Sequence, residues 1–445
     1  MERIDGTIKK TTVDFADFKD YDGQVVTIKG YIHRIREMTG FSFVLIRTSK
    51  EIIQCVYSPD FSDYRWDDRL IEESCVKITG KVVSSKDAKG NLRYELQIHD
   101  IQVLSIPASQ LPIVINKKQL DNIQLNTILD LRPISMRNPK ERAIFKIQEG
   151  IARGFRQFLG QNGFTEIRSP KINFAGAEGG TNVFKLDYFG KQVYLAQSPQ
   201  LYKQALVGVY ERVFEIAPVF RAEHHDTSRH LNEYTSMDFE MGFIESFEDI
   251  MNMETGLLKY IMNLLREEYK EEIDILKANI PEIESIPSIK FMDAKKLIME
   301  KFKYTPQDMK DFDPQEEEML GKWAKKELNS DFLFVTHYPS IKRPFYTMDD
   351  PENPEYTLSF DLLFRGLEIT SGGQRVHDYN MQVEKMIKCG TNPEEFETYL
   401  MLHKYGAPPH GGLGIGLERL TMHLLGFKNV REATMFPRDI NRVTP

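Results

Sequence analysis

RVFEIAPVFRAEHHDTSRHLNEYTSMDFEMGF, residues 212–243, reads as two strands joined by a long polar loop. Arg221 and Glu223 stand at the end of the first strand, Arg229 and His230 in the loop, and Glu233, Asp238 and Glu240 on the second strand. So many charges around one turn suit a charged ligand. Two arginines eight residues apart in a polar loop fit a polyphosphate such as ATP, because a guanidinium fork matches phosphate oxygens bidentately. The competing reading is a solvated hairpin with surface ion pairs, since charge runs commonly face water. Taken alone, the stretch leaves both open.

The chain around it has 445 residues, enough for two or three domains. A hydrophobic share of 41% supports sizeable cores, and 28% charged residues is ordinary. The net charge of -8, from 58 basic and 66 acidic residues, argues against an obvious nucleic-acid binder, because phosphate affinity comes from Lys and Arg. It does not exclude a local basic face. Cys55, Cys75 and Cys389 are scattered with no CxxC pair. That pattern speaks against a zinc ribbon or disulfide scaffold and fits a reducing cytoplasm. The N-terminus MERIDGTIKKTTVDF lacks the apolar centre of a signal peptide. No run of ~18 apolar residues occurs, so no membrane span is expected.

Residues from about 22 to 105 are β-rich. VVTIKGYIHRI, FSFVLIRT, EIIQCVYS, SCVKITGKVVSS and RYELQIHDIQVLS carry β-branched and aromatic residues in partial alternation, separated by turn residues such as KDAKGN at 86–91. Five strands in this space predict a small OB-type barrel over residues 1–105, with a helix at DDRLIEES between the third and fourth strands. Residues 106–137 read as a linker with short helices. Asn138-Pro139 then opens a helix, with Asn as N-cap and Pro at the first helical position. Ile144, Ile147, Ile151, Phe155 and Phe158 recur at helical spacing, and Gly163 closes the segment. Strands and helices alternate from there to the C-terminus. Residues from about 245 to 330 read as a helical, charge-rich insertion, with EEYKEEIDI and PQEEEML as solvated faces.

Smaller motifs punctuate this second part. GFTEIRSPKI (163–172) is a short strand ending near Pro170, and AGAEGGTNVF (175–184) is a glycine-rich loop carrying Glu178. LAQSPQLYKQ (195–204) sets Gln200 and Lys203 one helical turn apart, on a shared face. FDLLFRGLEITSGGQRVHD (360–378) holds Asp361 and Glu368 seven residues apart on a β-like run. That odd spacing needs a bulge or bend before the two carboxylates can converge, and converged they suit Mg²⁺. Ser371, Gly372, Gly373 and Arg375 follow as a loop with one cation. PPHGGLGIGLERL (408–420) is a glycine-rich strand entering a helix with Glu418 and Arg419. It matches neither the P-loop nor the dinucleotide fingerprint. His224, His225 and His230 cluster with no cysteine nearby and no familiar zinc spacing, and His410 reads as a turn residue.

Taken in order, FR-x-E, the loop ending in RH, and GLGIGLER resemble motifs 2 and 3 of class II aminoacyl-tRNA synthetases, and the Pro170 strand resembles their motif 1. AEGGTNVF, QSPQLYKQ, EITSGGQR and the closing FPRDINRVTP resemble aspartyl-tRNA synthetases of the archaeal and eukaryotic type, over nearly the whole chain. The resemblance implies an α+β architecture. An anticodon-binding OB barrel precedes a catalytic domain at 138–445 built on an antiparallel β-sheet flanked by helices. The implied reaction forms aspartyl-adenylate from L-aspartate and ATP, with Mg²⁺. The aspartyl group then passes to the 3′ end of tRNA-Asp, with tRNA-Asn left open as a second acceptor. A cytoplasmic homodimer without membrane contact is implied as well.

By the same resemblance, Arg221 bridges the α-phosphate and the substrate carboxylate. Glu223 and the Leu231 backbone read adenine, with Tyr234 stacking. Arg229, His230 and Arg419 hold the outer phosphates or stack on the base, beside Gly416. Arg221, Arg229 and Arg419 are thus the implied catalytic cations. Glu368, Asp361 and Ser371 position Mg²⁺, and Ser371 also borders the aspartate. Glu178, Gln200 and Asp238 hold the substrate ammonium, while Lys203 and Arg375 take its side-chain carboxylate. In the barrel, Phe43, Gln54 and Glu95 are the implied anticodon contacts, Phe43 by stacking and the others at base edges. As plain residues, Phe43 also suits a barrel core and the other motifs suit turns and exposed helix ends. The related alternatives are an asparaginyl-tRNA synthetase, an adenylating asparagine synthetase, and a non-catalytic paralogue binding RNA. Lys203 speaks for aspartate over the first, and the barrel against the second. Arg221, Glu368, Ser371, Arg375 and Arg419 together speak against the third.

Overall fold

Alternation of apolar and polar residues closes the first part of the chain into a barrel. The computed structural model describes residues 6, 11–86, 91–117, 120, 122–174, 182–224 and 226–445, in two units, Met1–Leu120 and Asp121–Pro445. In the first unit β1 (Val25–Met38), β2 (Phe41–Arg47), β3 (Ile52–Tyr57), β4 (Cys75–Lys86) and β5 (Leu92–Ser105) form a closed barrel in the order β1–β2–β3–β5–β4. The β3–β5 contact is parallel, while β1–β2, β2–β3, β4–β5 and β1–β4 are antiparallel. Ile28, Ile32, Val44, Ile46, Val76, Ile78, Leu96 and Ile98 fill the interior.

DDRLIEES does not form the expected helix. The Asp67 carboxylate accepts from the Arg69 amide at 2.9 Å, a local bond that competes with helix formation. Leu70 is buried among the barrel residues, and Glu73 takes a φ of +70°, outside the helical region. Arg47 holds Glu73 there through a buried pair, Nη2 to Oε2 at 2.7 Å. With two apolar residues in eight, the segment has no helical stripe to outweigh these contacts.

The second unit opens with α1 (Leu125–Asp130), α2 (Arg132–Ser135) and α3 (Pro139–Gln161). Asn138 caps α3 as expected, its side chain accepting from the Lys140 amide at 2.9 Å. The chain continues through β6 (Thr165–Glu166), β7 (Ile172–Asn173), β8 (Lys185–Tyr188), β9 (Lys191–Leu195), α4 (Gln200–Tyr210), β10 (Arg212–Phe220) and β11 (Glu233–Gly242). Next come α5 (Glu248–Glu268), α6 (Lys270–Leu276), β12 (Ser288–Lys290), α7 (Phe291–Phe302), α8 (Pro314–Glu327) and β13 (Phe332–Thr336). The last elements are β14 (Ser359–Phe364), β15 (Leu367–Gln374), α9 (Tyr379–Lys388), α10 (Glu397–Lys404), β16 (His410–Gly416) and α11 (Leu417–Leu425).

Eight of these strands form one sheet in the order β12–β13–β14–β15–β16–β11–β10–β6, and β7, β9 and β8 form a small second one. The large sheet is mixed rather than wholly antiparallel. Its central pairings are antiparallel, while β12–β13 and β10–β6 at the two edges are parallel. Met237, Phe239 and Met241 turn one face of β11 into a core with Ile151 and Phe155 of α3 and Leu257 and Ile261 of α5. Each such side chain contributes roughly 1.5–3 kcal/mol on burial. The period of two sends Ser236, Asp238 and Glu240 to the opposite face.

Of the two charge runs expected to be solvated, EEYKEEIDI keeps its charges outside the core, with no buried residue on α6, but its Tyr269 is buried in the core. PQEEEML on α8 departs from expectation. Glu316 is fully buried against Lys295, whose Nζ lies 2.7 and 2.8 Å from its two carboxylate oxygens. A charge run does not reveal that one of its carboxylates meets a buried lysine. Among the described residues, no helix is long and apolar enough to cross a membrane.

Candidate active site

The polar face of β11 is the floor of a cleft of about 260 Å³. α4 begins at Gln200, so Gln200 and Lys203 fall in its first turn, and both are buried. Lys203 Nζ donates to Asp238 Oδ1 and to the Leu413 carbonyl, each at 2.9 Å, and lies 3.5 Å from Glu240 Oε2. Arg375 donates from Nε to Glu240 Oε1 at 2.8 Å and from Nη2 to the Gly412 carbonyl at 2.8 Å, and lies over the Tyr346 ring. Glu240 therefore bridges the two cations. Burial opposes its charge, but Arg375 and Lys203 hold it below the usual carboxylate range.

Above this floor the long loop contributes a second set of cations. The Arg221 amide bonds the Asn232 carbonyl at 3.0 Å, and the guanidinium stands 5.7 Å from the Tyr234 ring centre. Glu223, His230, Leu231 and Tyr234 line the same wall. The Arg229 guanidinium reaches Glu317 Oε2 at 3.2 Å. Opposite, Arg419 donates to the Glu368 carbonyl at 3.3 Å, with Gly416 at the head of its helix. The loop thus forms one side of the cleft, with Glu223, Arg229 and His230 half-buried, while Arg221, His224 and residues 226–228 remain exposed.

Asp361 and Glu368 lie on two strands, not on one run. β14 and β15 turn at Arg365 and Gly366, with φ of +50° and +79°. Asp361 stands opposite Ser371, Glu368 opposite Leu363, with the required irregularity between Leu362 and Leu363. Ser371 donates to Asp361, and Arg343 reaches Asp361 Oδ1 at 2.8 Å and Ser371 at 3.1 Å while stacking on Tyr338. Glu368 and Ser371 line the cleft, whereas Asp361 sits behind Ser371, 7% exposed. Burial and the neighbouring Asp361 carboxylate push Glu368 up. Asp361 is already paired with Arg343, so Glu368, with the Ser371 hydroxyl beside it, is the cleft-facing oxygen ligand that suits a divalent cation, a hard acid that favours oxygen.

The remaining expected residues divide. Glu178 lies outside the described residues, as do its neighbours 175–181 and His225. On the barrel, Phe43 is half-buried, edge-on to Phe41 at 5.2 Å, and outside the core cluster. Gln54 donates to Glu95 Oε2 at 2.8 Å, so those two meet on neighbouring strands. His410 is not a turn residue but the buried first residue of β16. Its Nδ1 donates to the Pro408 carbonyl at 2.8 Å, leaving Nε2 to accept from Gln204 at 3.0 Å. Burial lowers it to about 4, so it is neutral at pH 7.

Glu240, Glu317, Arg343 and Glu418 enter the site without having been assigned a place in it from sequence. Glu240 had a signal, since it lies two residues beyond Asp238 and shares its strand face. Glu418 accepts from the Thr235 amide at 3.0 and 3.1 Å, standing in for β16, whose last register pair is Gly416 with Ser236. Burial pushes it to about 7. Arg343 sits in a stretch with no recognisable spacing.

Comparison with known proteins agrees with this fold. Residues 124–440 match the family described as class II tRNA synthetases (D, K and N), and residues 26–104 match the OB-fold nucleic acid binding domain. The chain belongs to the class II tRNA synthetases of this D, K and N group. It is similar to the aspartate–tRNA(Asp/Asn) ligase of Deinococcus radiodurans, 47% identical over 435 residues, covering 96% of this chain and 98% of the relative. The aspartate–tRNA(Asp/Asn) ligase of Thermus thermophilus is 45% identical over 431 residues, covering 96% and 99%. Among solved structures, the asparaginyl-tRNA synthetase of Pyrococcus horikoshii bound to asparaginyl-adenylate superposes with a TM-score of 0.88. It is 29% identical and covers 98% of this chain and 99% of its own.

Proposed function

We propose that the chain is an aspartate–tRNA ligase that joins L-aspartate to ATP as aspartyl-adenylate and then transfers aspartate to the 3′ end of tRNA. The acceptor is tRNA-Asp. The two relatives named for both Asp and Asn tRNAs support tRNA-Asn as a second acceptor. The observation that carries this reading is the pair of buried cations, Lys203 and Arg375, converging on Glu240 at the cleft floor. A substrate carboxylate adds the negative charge that such a floor favours. Asp238 and Glu240 balance the two cations in the free chain, but once Asp238 takes the substrate ammonium a side-chain carboxylate restores the balance and an amide does not, which is costly where water is excluded.

The activation step needs alignment more than proton transfer. The α-carboxylate of aspartate is already ionised at neutral pH, so no general base is required. One carboxylate oxygen attacks the α-phosphorus and pyrophosphate leaves. Arg221 bridges the α-phosphate and the attacking carboxylate, while Arg229, His230 and Arg419 take the charge of the outer phosphates. Glu223, the Leu231 backbone and Tyr234 hold adenine next to Gly416. Gln200, Asp238 and Glu178 take the ammonium group. Glu368 and Ser371 would hold Mg²⁺, backed by Asp361, and the ion when bound supplies further neutralisation of the phosphates. The barrel at residues 1–105 reads the anticodon through Phe43, Gln54 and Glu95, with residues 106–137 as the linker. The working form is a cytoplasmic homodimer paired through α3 and the segment from β6 to Pro170. The free state of Cys55, Cys75 and Cys389 supports a reducing compartment.

Lys203→Ala and Arg375→Ala test the cation floor. Each is expected to lower kcat/KM for aspartate in ATP–pyrophosphate exchange by roughly a hundredfold or more, while ATP still binds. Normal aspartate activation by either variant would remove that residue from the side-chain site.

A further inference from the structure

One arginine of the ATP-facing loop is held from outside the cleft. Glu317 Oε2 lies 3.2 Å from Arg229 Nη1, with 15% of the glutamate side chain exposed against 32% of the arginine. Arg229 lines the cleft, and Glu317 stands behind it. One edge of the guanidinium is thereby turned to the carboxylate while the side chain forms part of the cleft wall.

The helix that carries Glu317 is fixed in three ways. Asp313 accepts from the Gln315 and Glu316 amides at 2.8 and 3.0 Å, and Glu316 accepts in return from the Asp313 amide at 2.9 Å. This reciprocal cap starts α8 at a set residue. The fully buried Lys295–Glu316 pair ties the same turn to α7. Farther along, a Cβ on Gly321 would lie 2.4 Å from the Gly366 amide nitrogen. α8 therefore rests backbone against backbone on the β14–β15 turn, the hairpin that carries Asp361 and Glu368.

A carboxylate on a mobile surface helix orders an arginine weakly, because two long side chains lose freedom to form the pair. Glu317 is already ordered by its helix and half-buried, so that cost is reduced. Burial and the nearby Glu368 carboxylate push it up to about 7, with Arg229 and Arg419 pulling the other way. Glu317 thus belongs to the same electrostatic neighbourhood as the groups assigned to the phosphates.

We propose that Glu317 is a positioning residue for ATP, holding Arg229 in the cleft wall so that the triphosphate meets a guanidinium already in place. This rests on the reading of the cleft as an ATP site. It concerns the outer phosphates and not the base, so a nucleotide that lacks them is insensitive to Glu317.

Isothermal titration calorimetry of full-length Glu317→Ala and Glu317→Gln with ATP and with AMP tests the proposal. The Kd for ATP is expected to rise roughly tenfold in Glu317→Ala, the loss of one charge-assisted bond. The rise is smaller in Glu317→Gln, whose amide oxygen still accepts, and the Kd for AMP is unchanged in both. Adding Glu317→Ala to Arg229→Ala weakens ATP no further. Unchanged ATP affinity, equal loss of ATP and AMP affinity, or additive loss in the double variant overturns it. If Glu317→Ala fails to fold, Glu317→Gln carries the same comparison. If the wild-type chain activates no amino acid, the proposed activity falls, but the contrast between ATP and AMP still decides the role of Glu317.

Discussion

Glu254 on α5 is fully buried behind the catalytic sheet, and its carboxyl accepts from the Thr370 hydroxyl at 2.6 Å. Burial raises it from 4.5 to about 8. The folded chain thus binds this proton more tightly than the unfolded chain does. The resulting stabilisation is complete below pH 4.5 and is lost as pH rises through about 8. Glu254→Gln keeps the acceptor and removes the titration. The melting temperature of the variant relative to wild type is expected to climb by several degrees between about pH 5 and pH 9. A difference that stays flat with pH would show that Glu254 is ionised in the fold. At this scale the sequence exposed the charges but not their partners. Helix spacing and a glycine-flanked stretch, which forms the end of β15 rather than a loop, marked Lys203 and Arg375, but only the family resemblance gave them a place at the substrate side chain. Arg343 was not, because Asp361 and Ser371 meet it across strands far along the chain. Glu317 was hidden by a helix whose acidic run reads as solvated.

At the scale of elements, β16 lets the cation floor exist by having no side chains where Glu240 must lie. Gly412 faces Glu240 on β11 and Gly373 on β15. A Cβ there would come within 2.1 Å of the Phe239 carbonyl and 2.3 Å of Glu240 Oε2. Gly412→Ala therefore forces β11 and β16 apart or moves Glu240 off Arg375. The expected cost is about 1–3 kcal/mol of stability, together with a raised KM for aspartate and little change in KM for ATP. A variant with wild-type melting temperature and aspartate KM would refute the close-approach argument. The glycine-rich strand was visible in sequence, with Gly416 placed beside the nucleotide by resemblance. Gly414 and Gly416 line the cleft, and Gly412 adds a use that the sequence did not show, at the underside of the carboxylate bridge. The expected helix at DDRLIEES failed for a related reason, since a buried arginine fixed Glu73 in a conformation that no local pattern announced.

At the scale of the whole chain, alternation and capping made the architecture legible. The barrel strands fall where period two puts them, and α3 starts at the Asn138 cap. The parallel edges of the large sheet were not legible, because β6 and β12 are two and three residues long and carry too little pattern to set a direction. The similarity to an asparaginyl-tRNA synthetase fold reflects how much of this architecture is shared across the group. In the proposed reading, the amino acid is decided by Lys203 and Arg375 on the cleft floor. The most direct test is ATP–pyrophosphate exchange by the wild-type chain, run side by side with aspartate and with asparagine. Exchange that depends on aspartate and is negligible with asparagine is the predicted result. Exchange with asparagine and none with aspartate would contradict the account.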